Sequence, residues 1–173
     1  MNRIARQAVP LALVAGAIIA LPAIALPAVA QADSPPACAS GQVQVSNGGE
    51  QAAAGHRRVL LAFSLAPGAA PCTLTGYPAV NSGAGGPLLH ADWTLFGYMG
   101  GARTETPPTV TVSPSQPAYA VVEGAAIDAA DPNRKCPTYT DLQVIPPDTT
   151  DAFTVPAAID TCGLQVHPVN AEQ

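Results

Sequence analysis

Four cysteines and three histidines are the residues of this 173-residue sequence with the most informative chemistry. The cysteines are Cys38, Cys72, Cys136 and Cys162, and they are isolated from one another. Structural zinc sites usually contain closely spaced cysteine pairs, so this spacing disfavours zinc. Four cysteines in an exported chain indicate two disulfides, for which three pairings exist. We favour the two sequential loops, Cys38–Cys72 and Cys136–Cys162.

The histidines and the hydroxyl side chains do not form a catalytic or metal-binding motif. His56, His90 and His167 lack a neighbouring His, Cys or acid at metal-ligand spacing. No serine lies in a GxSxG elbow, and cysteines in disulfides are not nucleophiles. The sequence therefore predicts no catalytic residue, no metal and no cofactor, and a protein that is not an enzyme.

The N-terminus has the pattern of a secretory signal. Arg3 and Arg6 precede an apolar segment at 11–21, and small residues lead to a cleavage site between Ala32 and Asp33. We expect residues 1–32 to be removed and the protein to be secreted, either outside the cell or in its envelope. No later apolar stretch is long enough to span a bilayer.

The composition and length of the remaining chain, 33–173, indicate a single acidic domain. The signal carries two of the seven basic residues and none of the twelve acidic ones, so the rest has a formal charge of −7. Such a charge disfavours nucleic acid as a partner. The length suits a single domain with its own core.

Short apolar segments separated by Gly and Pro predict strands rather than helices. The segment RVLLAFSL at 58–65 predicts a central strand covered on both faces, and Asn47-Gly48-Gly49 predicts a turn. Trp93, the only tryptophan, is expected in the core or at its rim. About nine such strands predict an antiparallel sandwich or barrel. They are expected at 43–45, 58–65, 72–77, 93–96, 110–112, 119–123, 142–145, 153–155 and 164–169.

Two polar segments between these strands are the candidate binding loops, because loops on a rigid scaffold commonly carry recognition residues. One is the glycine-rich stretch 81–87 and the other is the polar stretch 128–135. The candidate residues are Asn81, Ser82, Gly83, Gly85, Asp128, Asp131, Asn133 and Arg134.

The order of several of these segments resembles an actinobacterial family, the domain of unknown function 4232. The resemblance is carried by AGHR at 54–57, CTLTGYP at 72–78, LQVIPP at 142–147 and the four cysteines. It implies an immunoglobulin-like antiparallel β-sandwich in a secreted protein or lipoprotein. The family has no assigned activity, so the resemblance implies nothing about catalysis.

These observations favour a secreted, non-catalytic module that binds an extracellular or cell-wall partner. The high aliphatic content leaves a second hypothesis, a carrier of a small apolar ligand. A third is a hydrolase whose carboxylates meet only in the fold.

Overall fold

Eleven β-strands form the regular structure of the residues described by a computed structural model, which are 34–100 and 105–172. The predicted cleavage site between Ala32 and Asp33 lies outside these residues. No helix in the described part of the chain is long and apolar enough to cross a membrane. The strands are β1 (Val43–Ala53), β2 (His56–Leu65), β3 (Cys72–Thr75), β4 (Ala79–Ser82), β5 (Leu89–His90), β6 (Asp92–Trp93), β7 (Thr109–Val112), β8 (Ala118–Ala125), β9 (Thr138–Ile145), β10 (Phe153–Asp160) and β11 (Leu164–Val166).

The strands pair into three sheets. The five-stranded sheet has the order β1-β2-β8-β11-β6, the four-stranded sheet β10-β9-β4-β5, and the small sheet β3-β7. All pairs are antiparallel except β11 with β6, which run parallel. The predicted all-β, mainly antiparallel fold is confirmed, and its immunoglobulin-like topology stays a prediction.

One hydrophobic core joins side chains from all three sheets. Alternate residues of a strand point to the same face of the sheet. In β2 and β10, the residues that point towards the core are apolar. Full burial of each such side chain contributes roughly 1.5–3 kcal/mol. Leu60, on the opposite face of β2, is only 5% exposed, so the middle of this strand is covered on both faces as predicted. The inward residues are Val59, Leu61 and Phe63 of β2 and Val155, Ala157 and Ile159 of β10.

The predicted turn at 47–49 is wrong, because β1 continues through it with a bulge. The register against β2 shifts between Asn47 and Gly49, which has a φ of 137°. The Asn47 side chain accepts a hydrogen bond from Gly49 N at 2.8 Å and donates one to Pro156 O at 2.9 Å. These local bonds keep the chain extended, and it turns instead at Ala54 and Gly55, both with positive φ.

Both favoured disulfides are present. Cys38–Cys72 joins the N-terminal segment to the start of β3, where Cys38 N also donates to Thr73 O at 2.9 Å. Cys136–Cys162 joins the segment before β9 to the segment after β10. Two disulfides fit an oxidising compartment.

Candidate functional site

Four connections contact one another at one end of the sandwich, which we call the loop end. They are the turn 54–55 and the connections 83–88, 126–137 and 161–163. Backbone hydrogen bonds link them, from Ala126 N to Gly55 O, from Thr161 N to Pro137 O and, between 83–88 and the start of β9, from Thr140 N to Ala84 O. The structure therefore brings both candidate binding loops to the same end of the molecule.

The polar loop 128–135 is closed by its own side chains. The Asp128 carboxylate lies 2.7 Å from the Arg134 guanidinium and also accepts a hydrogen bond from Ala130 N. Asp131 accepts one from Asn133 N at 3.1 Å. The carboxylates of this loop therefore stabilise its conformation. No group of three or more His, Cys, Asp or Glu among the described residues could hold a metal ion.

The glycine-rich stretch 81–87 begins within strand β4, so only part of it is a loop. Asn81 and Ser82 belong to β4, and the buried Ser82 hydroxyl donates to Asp141 O at 2.6 Å. Gly83 and Gly85 follow in the connection itself. An ideal Cβ on Gly85, whose φ is 115°, would collide with the carbonyl group of Thr138, so this close approach requires glycine.

A segment that the sequence did not single out lies across the outer face of the five-stranded sheet. We call residues 94–100 the strap. The Glu123 carboxylate of β8 accepts hydrogen bonds from two strap amides, Tyr98 N at 3.2 Å and Met99 N at 2.7 Å. On β2, Arg58 donates to Met99 O at 3.3 Å. Two strands therefore hold the middle of the strap.

Beneath the strap, Glu123 forms a buried pair with His167. The two side chains are 4% and 0% exposed, and His167 Nε2 lies 3.4 Å from Glu123 Oε1. Neither ring nitrogen of His167 has a hydrogen-bond partner among the described residues. An ideal Cβ on Gly97 would collide with the Glu123 carboxylate and lie 2.7 Å from His167 Nε2. Only glycine lets the strap approach this pair so closely.

A cavity of about 360 Å³ opens beside the strap at the loop end. One wall is the ring of Tyr98, which stacks on His56 with ring centres 4.2 Å apart and planes 21° apart. Tyr98 is nevertheless 82% exposed, so the stack fixes its position while the rest of its surface faces solvent. Ile127 and Leu164 also line the cavity, and its polar lining includes His56, Asp92, Glu123, Asp128 and Gln165.

Trp93 does not lie in the core, because β6 is a two-residue edge strand. The indole is 67% exposed and stacks in parallel on Tyr77, with ring centres 5.0 Å apart. The strand predicted at 93–96 ends at Trp93, and the strap follows. The stack on Tyr77 orders this large side chain without burying it.

Asp160 lies at the rim of the loop end, where β10 ends. Its carboxylate accepts a hydrogen bond from the Thr138 hydroxyl at 2.6 Å and forms an ion pair with Arg57 at 2.9 Å. The Thr138 hydrogen bond, followed by the hydrogen bond and charge of Arg57, lowers the pKa of Asp160 below its usual value, although burial opposes this.

Of the eight residues proposed in the candidate binding loops, Asp128 alone lines the cavity. The other lining groups come from β2, β6, β8, β11, the strap and the connections 126–137 and 161–163, most of which are far apart in the sequence. One signal was available, since Glu123 ends an otherwise apolar strand, YAVVE. A carboxylate in such a strand is unusual unless it has partners.

The comparisons with known proteins define the family. A family model described as a domain of unknown function (DUF4232) matches residues 38–170, which is most of the chain, and the protein belongs to this family. No curated protein and no solved structure matches it significantly. The family has no assigned function, so the comparisons assign no activity to this all-β, disulfide-containing protein.

Proposed function

We propose that this protein is exported and acts as a non-catalytic binding module at the cell envelope, with the loop end as its recognition surface. The observation that carries the proposal is the open cavity beside Tyr98. Its volume of about 360 Å³ lies within the range of ligand-binding pockets. The disulfide Cys136–Cys162 and the ion pair within the connection 126–137 hold its surroundings in place, which reduces the entropic cost of binding.

Binding is favoured over hydrolysis by the way the buried acid is used. Both oxygens of Glu123 accept backbone hydrogen bonds, and His167 is buried under Gly97. A general base must reach the proton that it removes or the water that it activates. Glu123 instead holds the strap and His167 is buried beneath it, so we assign both residues a structural role.

Surface recognition is also favoured over carriage of an apolar ligand. A carrier buries most of its ligand. Here the cavity rim is formed by Tyr98, which is 82% exposed, and Ile127, which is 51% exposed. A ligand bound in this cavity would remain in contact with water, as the end group of a larger partner does.

Binding of the labelled, oxidised protein to envelope fragments of its own host tests this proposal. We expect the double variant Tyr98→Ala, Ile127→Ser to lose affinity roughly ten-fold or more, because truncating two central contacts of a site typically removes more than about 1 kcal/mol each. Gln116→Ala, in the turn between β7 and β8 at the opposite end, is the control. Equal binding by the wild type and the double variant would refute the proposal.

A further inference from the structure

We propose that the cavity beside Tyr98 binds a primary alkylammonium group, of the kind that a lysine side chain carries. This inference rests on the proposed function and specifies the chemistry of its ligand. A linear amine of this type has an apolar stem and a compact positive head. The cavity offers complementary surfaces to both parts.

The charge of the lining favours a cationic head. Asp92, Glu123 and Asp128 line the cavity, and no Lys or Arg of the described residues does. Asp128 is balanced by Arg134, which lies 2.7 Å away. Asp92 is exposed, and its carboxylate makes no hydrogen bond or ion pair with any described residue. Its carboxylate is therefore free to accept a charged donor, and the net charge of −5 for the chain favours the approach of a cation.

Strand register places Asp92 and Glu123 on one row of the sheet, with Arg58 of β2 paired to Glu123 on its other side. Gln165 of β11 pairs with Asp92 of β6 on one side and with Glu123 of β8 on the other. Residues at paired positions share a face, so Asp92, Gln165 and Glu123 line the same wall. The ammonium head has three donors, and this row offers a carboxylate and an amide oxygen to accept them.

A second and independent observation is the buried histidine behind this row. His167 is fully buried, has no hydrogen-bond partner for either ring nitrogen, and directs Nε2 at Glu123 Oε1 from 3.4 Å. Buried polar groups are normally satisfied, so an unpaired buried imidazole next to the cavity lining requires an explanation. Two strap amides fix the orientation of the Glu123 carboxylate, which lines the cavity.

The remaining walls suit an aliphatic stem. Ile127 and Leu164 provide apolar surface, and the ring of Tyr98 is held by the stack on His56. Lysine stems pack on apolar surface while their heads stay polar. A cation within about 6 Å of an aromatic ring is attracted to the face of that ring. Together these walls favour a linear amine over a bulky sugar ring.

Chemical-shift titration of the oxidised protein tests the assignment. The probes are N-acetyl-lysine methylamide, its Nε-acetylated form, which lacks the charge, and glucosamine, which places an amine on a ring. We expect the lysine derivative to shift the backbone signals of Asp92, Tyr98 and Gln165, and its affinity to fall when salt is added. The acetylated form should produce no such shifts.

Variants identify the groups responsible. Asp92→Asn should weaken binding roughly three- to five-fold, in line with an exposed ion pair, and Tyr98→Ala roughly two- to five-fold, in line with a lost cation–π contact. Asp148→Asn is the matched control, because this carboxylate is exposed, lies in the connection between β9 and β10 and does not line the cavity. Far-UV circular dichroism of each variant checks that it is folded.

Three outcomes would overturn the inference: equal binding of the acetylated probe, preferential binding of glucosamine, or an Asp92→Asn variant that binds like the wild type. The proposed function fails separately. If no amine binds but envelope binding is still lost in the Tyr98→Ala, Ile127→Ser variant, the recognition surface stands and only its ligand class is wrong. If envelope binding is also unaffected by that variant, both proposals fail.

Discussion

Gly97→Ala should destabilise the protein far more than an exposed glycine-to-alanine change normally does. Gly97 is outside the left-handed region, so alanine fits its backbone conformation. The added Cβ, however, would collide with the Glu123 carboxylate and lie 2.7 Å from His167 Nε2. Because that carboxylate is held by the fold, the strap has to move away from it.

The magnitude follows from the two bonds that would break. Tyr98 N and Met99 N donate to Glu123 at 3.2 and 2.7 Å. Hydrogen bonds to charged groups contribute about 1.5–3 kcal/mol each, and water would replace part of the loss, so we expect a decrease of about 2–4 kcal/mol. Domains of this size are stable by only about 5–15 kcal/mol, so this decrease is readily measured.

Urea denaturation followed by far-UV circular dichroism, with both disulfides intact, measures the change. Gly83→Ala is the control, since its nearest neighbour would be Leu88 Cδ1 at an ordinary 3.6 Å and its φ is not positive. We expect the control to lie within about 0.5 kcal/mol of wild type. Hydrogen exchange of the Tyr98 and Met99 amides should also accelerate in Gly97→Ala. If the stability and the exchange rates of Gly97→Ala match those of Gly83→Ala, Glu123 does not hold the strap.

Three further outcomes follow from the described contacts. The lowered pKa of Asp160 makes its interactions stabilising above the pKa of the unfolded chain, and this stability is lost as the pH falls through the folded pKa. Thr138→Val should therefore raise the pKa of Asp160 in an NMR titration of the carboxyl carbon, and an unchanged midpoint would contradict the assigned cause. Replacing Cys136 and Cys162 together by serine should cost roughly 3.5 kcal/mol in urea denaturation, from the lost constraint on the unfolded chain; a cost below about 1 kcal/mol would show that this constraint is minor. Trp93, at 67% exposure, should be quenched by acrylamide almost as efficiently in the native protein as in urea, and strong native protection would place it in the core instead.

The strands could be predicted from the sequence because their signal is local. Short apolar or alternating segments locate β2, β7 and β8 within two residues, although the predicted segments cover only half of β9 and the first three residues of β10. The prediction failed where long-range contacts override local preference. Asn47-Gly48-Gly49 reads as a turn, but the bulge keeps the chain extended because the Asn47 side chain bonds across to Pro156. Leu89–His90 and Asp92–Trp93 are too short to show any periodicity.

The candidate site could not be predicted in the same way, because its parts meet only in the fold. Tyr98 N and Glu123 lie 25 residues apart, and Arg58 NH1 and Met99 O lie 41 apart. No local pattern encodes such a contact. The sequence instead predicted the two carboxylates of 128–135, Asp128 and Asp131, as binding residues. Both bond within their own loop.

The same long-range contacts explain how a loop end without regular structure can serve as a recognition surface. The strap is held by Glu123 and Arg58, and the loop 126–137 is held by Cys136–Cys162 and its own ion pair. Tyr98 depends on both β2 and β8, because its ring stacks on His56 and its amide is bound to Glu123. A side chain positioned in this way loses little conformational entropy when it binds, so even a small exposed ring contributes affinity. Loss of the Glu123 contact would free Tyr98 without removing it, so Glu123→Gln and Tyr98→Ala should weaken ligand binding through the same side chain.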